Sequence, residues 1–362
     1  MDVLSDVIST IRTGQPRSTR IAWHSPWGMR FPETTGPGFQ VVLQGSCWLL
    51  MDGEEPLRLG VGDVVFLPHG QEFALADSTE HPLPDPSCHS FVSALRESGS
   101  LPPLDRPGPP VTELVCDADG PRPLLRRFGS ASVGTADADG PSCVTVGGAY
   151  HACPARPHPM LTELPRVVHL PARVGMRPEL TAAVDLLGGE LGGPRQGSDA
   201  VIPSLLDILL LYILRAFLEE HRPGGACGWV GALRDPAVSA AVKAVHEDPA
   251  HPWTVAGLGE RAGLSRAAFS RRFTSLVGQS PLAYVTWWRL TRAGLLLRES
   301  DAPISAVAAR VGYSSQFAFA NAFKREFGMA PGGYRRGTDA LLTADAAPET
   351  ASGPRRAVPD PA

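Results

Sequence analysis

Val255-Ala-Gly-Leu258-Gly-Glu-Arg-Ala262-Gly263-Leu264-Ser265 and Ile304-Ser-Ala-Val307-Ala-Ala-Arg-Val311-Gly312-Tyr313-Ser314 follow one pattern, 49 positions apart. Apolar residues recur at i, i+3 and i+7, which is the spacing of one helix face. A glycine then stands where the helix ends and the chain needs a left-handed residue to turn sharply. Beyond the turn the offset becomes 50: Phe269, Phe273, Gly278, Pro281 and Tyr284 match Phe319, Phe323, Gly328, Pro331 and Tyr334. A short helix, a glycine turn and a second helix make a helix-turn-helix, and its duplication makes chance improbable.

The second helix of each unit is the one expected to read DNA. Ser265 and Ser315 occupy N-cap positions, where a hydroxyl satisfies an orphaned backbone N–H. Phe269, Phe273, Phe319, Phe323 and Phe327 form the stripe expected inside. That leaves Arg266, Ala267, Ser270 and Arg271 on the outer face of the first unit, and Gln316, Phe317, Ala320 and Asn321 on that of the second. Arg pairs with guanine through two bonds, Asn and Gln with adenine, and small or apolar side chains can pack against a thymine methyl or a sugar. Arg272, Lys324 and Arg325 sit nearer the flanks, where phosphates are met. The long helix expected over Pro281 to Arg298 would hold the two readers apart. A spacing near ~34 Å would let both enter successive major grooves.

Charge is divided accordingly. Between Trp229 and Thr338, 14 Lys and Arg face 7 Asp and Glu, leaving 19 basic and 30 acidic residues elsewhere in a chain of net charge −4. One half therefore suits a polyanion and the other does not.

Working outward, 362 residues with 43% apolar and 19% charged content suffice for two domains. Residues 1–12 read as a short amphipathic helix that does not look like a secretory leader. Short strands follow: Phe39–Leu43, Cys47–Met51, Leu57–Leu59, Asp63–Leu67 and Glu72–Leu75, with a hairpin turn at Met51-Asp52-Gly53. Residues 82–110, with eight prolines, read as a long loop, and strands resume at Val111–Cys116 and Cys143–Tyr150. This pattern describes a small β-barrel or jelly roll. Helices are expected at Pro178–Leu187 and Ala200–His221. The second is interrupted by Pro203, Ser204, Asp207 and Arg215, so no window offers the ~18 unbroken apolar residues of a membrane span. Its apolar content exceeds one core-facing stripe, so packing on the barrel and contact with a second copy are both open. A cytoplasmic location and no membrane contact are expected.

LSRAAFSRRFTSLVGQSPLAYVTWWRLTRAGLLL (264–297) followed by ISAVAARVGYSSQFAFANAFKREFGMAPGGYRR (304–336) resembles the DNA-binding domain of the AraC/XylS family of transcription regulators. GDVVFLPHG (62–70) and LLDILLLYILRAFLEE (205–220) are more loosely similar to the cupin-type regulatory domain of one branch of that family. The resemblance implies an α+β, two-domain chain. An N-terminal cupin-like β-barrel with flanking helices covers 1–180, with helices for linking or dimerisation over 181–222. A flexible linker follows at 223–235, then an all-α domain with two helix-turn-helix units at 236–338 and a disordered tail at 339–362. It further implies an activator or repressor of an operator in double-stranded DNA, a small-molecule or redox signal, RNA polymerase as a partner, and a homodimer.

No catalytic triad, phosphate loop or paired carboxylates are present, and neither an enzyme nor a cofactor is expected. A metal-dependent cupin enzyme fused to a DNA-binding domain is the alternative. His69 and Glu72 lie near one strand end with His24, His81 and His89 distant, and the HxH pair of a metal-binding cupin is missing. An architectural DNA binder without sensing is a third reading. The six cysteines form no CxxC pair. Buried free thiols are favoured for them, with Cys143 and Cys153 the candidates for redox sensing, which needs exposure and a lowered pKa.

Overall fold

The computed structural model describes residues 3–11, 17–34, 36–80, 111–117, 120–123, 141–150, 158–173, 175–193, 195–220 and 228–341. Eleven strands are described: β1 (Arg17–Trp23), β2 (Gly28–Phe31), β3 (Gly38–Gln44), β4 (Cys47–Leu50), β5 (Leu57–Leu59), β6 (Val64–Leu67), β7 (Phe73–Ala76), β8 (Val111–Asp117), β9 (Gly120–Pro123), β10 (Cys143–Ala149) and β11 (Val168–Leu170). They make a seven-stranded sheet, β11-β6-β3-β10-β1-β8-β9, and a four-stranded sheet, β2-β7-β4-β5. Among these pairs β1 and β8 run parallel, and the others are antiparallel.

Alternation along the strands sorts the side chains. Val65 and Leu67 point between the sheets, where Ile21, Trp23, Met29, Leu49 and Leu75 fill the barrel. Val64 and Phe66 point the other way and join Phe39, Val41 and Val146 beneath the helices. All four residues of β6 are buried, because both faces of this sheet are covered. Trp23 is fully buried in the barrel interior, stacked on Trp27 at 4.1 Å, with its indole N–H donating to Thr145 Oγ1 at 2.8 Å. The expected turn stands between β4 and β5: Gly53 has φ +80° and Glu54 N–H donates to Met51 O at 3.2 Å.

The helices before the repeat are α1 (Val3–Ile11), α2 (Pro159–Thr162), α3 (Pro178–Gly192) and α4 (Ser198–Glu220). By length and hydropathy α4 would suit a membrane, but Leu206, Leu209, Leu210, Ile213 and Leu214 on its inner side are buried against the barrel and α3. Val201 and Ile208 remain exposed on its outer side.

The expectation of a flexible linker over 223–235 is corrected. Gly228–Arg234 forms a helix, α5, whose Trp229 is 1% exposed. A buried indole offers the contacts that order this segment. Residues 221–227 lie outside the described residues. So do the whole of the expected 82–110 loop and the tail from 342 on. The last helix runs to Leu341, past the expected end at 338.

After α5 come α6 (Pro236–Glu247), α7 (Val255–Arg261), α8 (Arg266–Val277), α9 (Pro281–Glu299), α10 (Ile304–Arg310), α11 (Gln316–Phe327) and α12 (Pro331–Leu341). One hydrophobic core runs from the seven-stranded sheet through α1, α3, α4 and α6 into Phe269, Phe273, Tyr284 and Trp288. A separate core, with Leu290, Leu297, Val307, Phe319 and Phe323, holds the second unit.

Candidate nucleic-acid interface

Each unit is built from local signals in its own sequence. In the first, Thr254 Oγ1 caps α7 by accepting from Gly257 N–H at 3.0 Å. Gly263 then turns the chain at φ +65°, and Ser265 Oγ caps α8 by accepting from Ala268 N–H at 3.4 Å. In the second, Gly312 turns at φ +84° and Ser315 Oγ caps α11 from Ala318 N–H at 3.3 Å. Both serines thus take the N-cap role expected of them. The phenylalanine stripe is inside: Phe269, Phe273, Phe319 and Phe323 are buried, and Phe327 is half-buried, stacked on Phe323 at 4.2 Å.

None of the expected DNA-reading residues is packed inside the protein. Ser265, Arg266, Ala267, Arg271, Ser315, Gln316, Phe317, Asn321, Lys324 and Arg325 are exposed, and Ser270 and Ala320 are half-buried. Arg272 differs. Its Nε donates to Asp235 Oδ2 at 2.6 Å, and Asp235 caps α6 through Ala237 and Val238 N–H. Burial opposes the charge on Asp235, but the Val238 N–H, the Arg272 guanidinium and the Ala237 N–H outweigh it and hold the carboxyl below its ordinary range. Arg272 is therefore engaged as a brace between α6 and α8, and its expected role on phosphate is set against that engagement.

The two units are tied together. Helix α9 runs through both cores, with Tyr284 and Trp288 in the first and Leu290, Ala293 and Leu297 in the second. Arg289 donates to Pro249 O and His251 O, both at 2.7 Å. A Cβ on Gly312 would lie 2.9 Å from Ala250 Cα, so the turn of the second unit presses on the loop of the first.

The first unit is also fastened to the N-terminal half, by residues that sequence reasoning missed. His246 on α6, fully buried, sits 3.0 Å from Asp6 on α1 through Nδ1 and 2.5 Å from Tyr284 Oη through Nε2, and stacks on Trp288 at 3.7 Å. Burial pulls its pKa below the ordinary value despite the attraction of Asp6, so at neutral pH the ring is uncharged. Burial pushes the Tyr284 phenol well above its ordinary pKa, so it keeps its proton. One arrangement satisfies all three groups: Nδ1–H donates to Asp6, and Nε2 accepts from the Tyr284 O–H. Nearby, His158 sits edge-on to Trp229 and Trp287, its pKa driven well down by burial. Glu163 Oε2 accepts from Trp229 N–H at 2.6 Å.

A cupin family model matches residues 2–219, and a helix-turn-helix domain model matches 258–337. A protein of Streptomyces antibioticus described as an AraC-like transcription regulator is 32% identical over 93% of this chain and 99% of its own. The chain belongs to the AraC-like family of transcription regulators. The regulator AlkR of Acinetobacter baylyi is 28% identical over 93% of this chain and 99% of its own. The DNA-binding domain of AdpA, crystallised with a target DNA, is 36% identical over 30% of this chain and 96% of that one, with a TM-score of 0.29. The protein is a DNA-binding transcription regulator with a cupin-type N-terminal domain, and its relatives are named as regulators rather than enzymes.

In this AraC-like chain the suggestion of a redox thiol at Cys143 is corrected. Cys143 is 1% exposed between the sheets beside Cys47, and that contact, with burial, pushes the Cys47 thiol pKa up. Oxidant sensing requires an accessible thiol, and Cys143 is not accessible. Cys153 lies outside the described residues. Among the described residues no group of three His, Cys, Asp or Glu is placed to hold a metal. His69 Nε2 bonds Leu164 O at 2.9 Å and Glu72 pairs with Arg30 at 3.3 Å, while His81 and His89 lie outside the described residues. A pocket of about 190 Å³ opens on the outer face of the four-stranded sheet between Arg30 and Arg166. Both guanidiniums already have carboxylates, Glu72 and Glu54, at 3.3 and 3.4 Å.

Proposed function

We propose that α8 and α11 insert their exposed faces into the major groove of an operator in double-stranded DNA, with Arg266, Ala267, Ser270 and Arg271 reading one half and Gln316, Phe317, Ala320 and Asn321 the other. The observation that carries this is the pairing of two serine-capped helices, each with a buried phenylalanine stripe and a free outer face, on one spine. Ser265 and Ser315 set the first turn of each reader against the phosphate backbone, and Lys324 and Arg325 meet phosphates, a positioning and largely sequence-independent contribution. Arg272 acts by fixing α8 on Asp235.

The N-terminal domain answers a small molecule and passes the signal through the α1–α6 contact. Regulation then follows from recruiting or obstructing RNA polymerase in the cytoplasm, without catalysis or cofactor. A homodimer formed through the exposed side of α4 would double the operator contacts.

Genome-wide mapping of bound DNA, followed by gel shifts on the recovered site, tests this reading. A common motif with two half-sites about one helical turn apart is the expected result. Uniform binding to random DNA would overturn it in favour of an architectural binder. A monomeric mass in light scattering at micromolar protein would remove the dimer.

A further inference from the structure

The two readers do not present the same chemistry. Aligned at the offset of 50, Arg266, Ala267, Ser270 and Arg271 on α8 are replaced by Gln316, Phe317, Ala320 and Asn321 on α11. The first face carries two cations. The second carries none until Lys324 and Arg325 in its last turn. In their place it carries Phe317, which is 77% exposed, the largest exposure among the large hydrophobic side chains described.

That exposure follows from the helix. Phe319 and Phe323 lie four apart and are buried, whereas Phe317 lies two positions from Phe319, about 200° round the axis at 3.6 residues per turn. It stands in the first turn of α11, the part of a recognition helix that meets base edges. Gln316 and Asn321 flank it on the same face, both exposed, and half-buried Ala320 lies one turn on. A single exposed apolar side chain needs no partner of its own, but this one stands on the face that the proposed insertion puts into the groove. In the major groove the apolar group on offer is the C5-methyl of thymine, and Gln and Asn recognise the adenine opposite through two bonds.

We infer that Phe317 is a specificity-determining residue that packs on a thymine methyl, so that the α11 half-site is read as A·T pairs while the α8 half-site is read through guanine by Arg266 and Arg271. This rests on the proposed insertion of both helices into DNA and adds the base chemistry of each half.

The test replaces each thymine of the α11 half-site in turn by deoxyuridine, which deletes only the methyl group, and measures Kd for the full-length wild type, Phe317→Ala and Phe317→Leu. Because Phe317 is exposed, neither variant disturbs the core. For wild type, one or two positions should weaken binding about fourfold, the worth of burying one methyl group. Phe317→Leu should keep that sensitivity. Phe317→Ala should bind the unmodified site as wild type binds the uridine site, with no further loss on substitution. Arg271→Ala should retain the uridine response while losing discrimination at guanine. Equal uridine effects in wild type and Phe317→Ala, or none in either, would overturn the inference while leaving the DNA-reading proposal standing. A Phe317→Ala variant with unchanged Kd but altered association with itself or with RNA polymerase would overturn it too, assigning the ring to a protein partner. Failure of the wild type to select any site would instead sink the underlying reading.

Discussion

Replacing Asp6 by Ala removes the acceptor for His246 Nδ1–H across a contact whose side chains are 2% and 0% exposed. The imidazole N–H then loses its carboxylate in a place closed to bulk water. A hydrogen bond to a charged group is worth roughly 1.5–3 kcal/mol, and a buried donor without a partner sits at the upper part of that range. We expect a loss of about 2–3 kcal/mol at pH 7.5. For a cooperative unit of 150–250 residues, about 1 kcal/mol moves the melting temperature by roughly 2–4 °C. The Asp6→Ala protein should therefore melt roughly 5–10 °C lower. Asp6→Asn keeps an oxygen for the same N–H and should lose about 1 kcal/mol or less. Scanning calorimetry gives the shift, and hydrogen exchange locates it. Protection should fall in α1 and in α6, 240 residues away in sequence, before it falls in the four-stranded sheet. If Asp6→Ala melts within about 1 °C of wild type, or if Asn costs as much as Ala, the bond does not hold the two halves together as argued.

Four further outcomes follow from the same structure, the first of them a pH dependence. His246 and His158 both have folded-state pKa values below 6.5, so below that pH the unfolded chain binds more protons than the native one. Their contribution is complete above about pH 6.5 and is lost as pH falls below it, by up to ~1.4 kcal/mol per unit for each histidine. Melting at pH 5.5 should be lower than at pH 7.5, and His158→Gln should flatten the slope. Arg271→Ala should cost about 1–3 kcal/mol on operator and little on random DNA. Arg272→Ala, releasing Asp235, should lower stability by under ~1 kcal/mol without changing base preference in the same gel shifts. Gly312→Ala combines a left-handed backbone with a contact at 2.9 Å and should cost about 2–4 kcal/mol in urea melts, against about 1–2 kcal/mol for Gly263→Ala, which meets open space.

The helix-turn-helix repeat was determined by sequence alone, because every signal that builds it acts over a few residues. Phe269 and Phe273 are one helical turn apart, Ser265 caps a helix that starts at the next residue, and Gly263 or Gly312 allows the turn that other residues resist. The strands over 38–76 were legible for the same reason, since alternation and the Asp52-Gly53 turn are local. Strands β2 and β11 were not, being short pieces ordered by partners as distant as Phe73 and Val65. Only the tertiary structure decided that Arg272 pairs with Asp235, that Trp229 turns an expected linker into a packed helix, and that Asp6 closes on His246. Those pairings join residues 37, 66 and 240 positions apart. No periodicity or spacing encodes them: the chain must fold before these partners meet, and for Asp6 and His246 burial leaves neither polar group another partner in water.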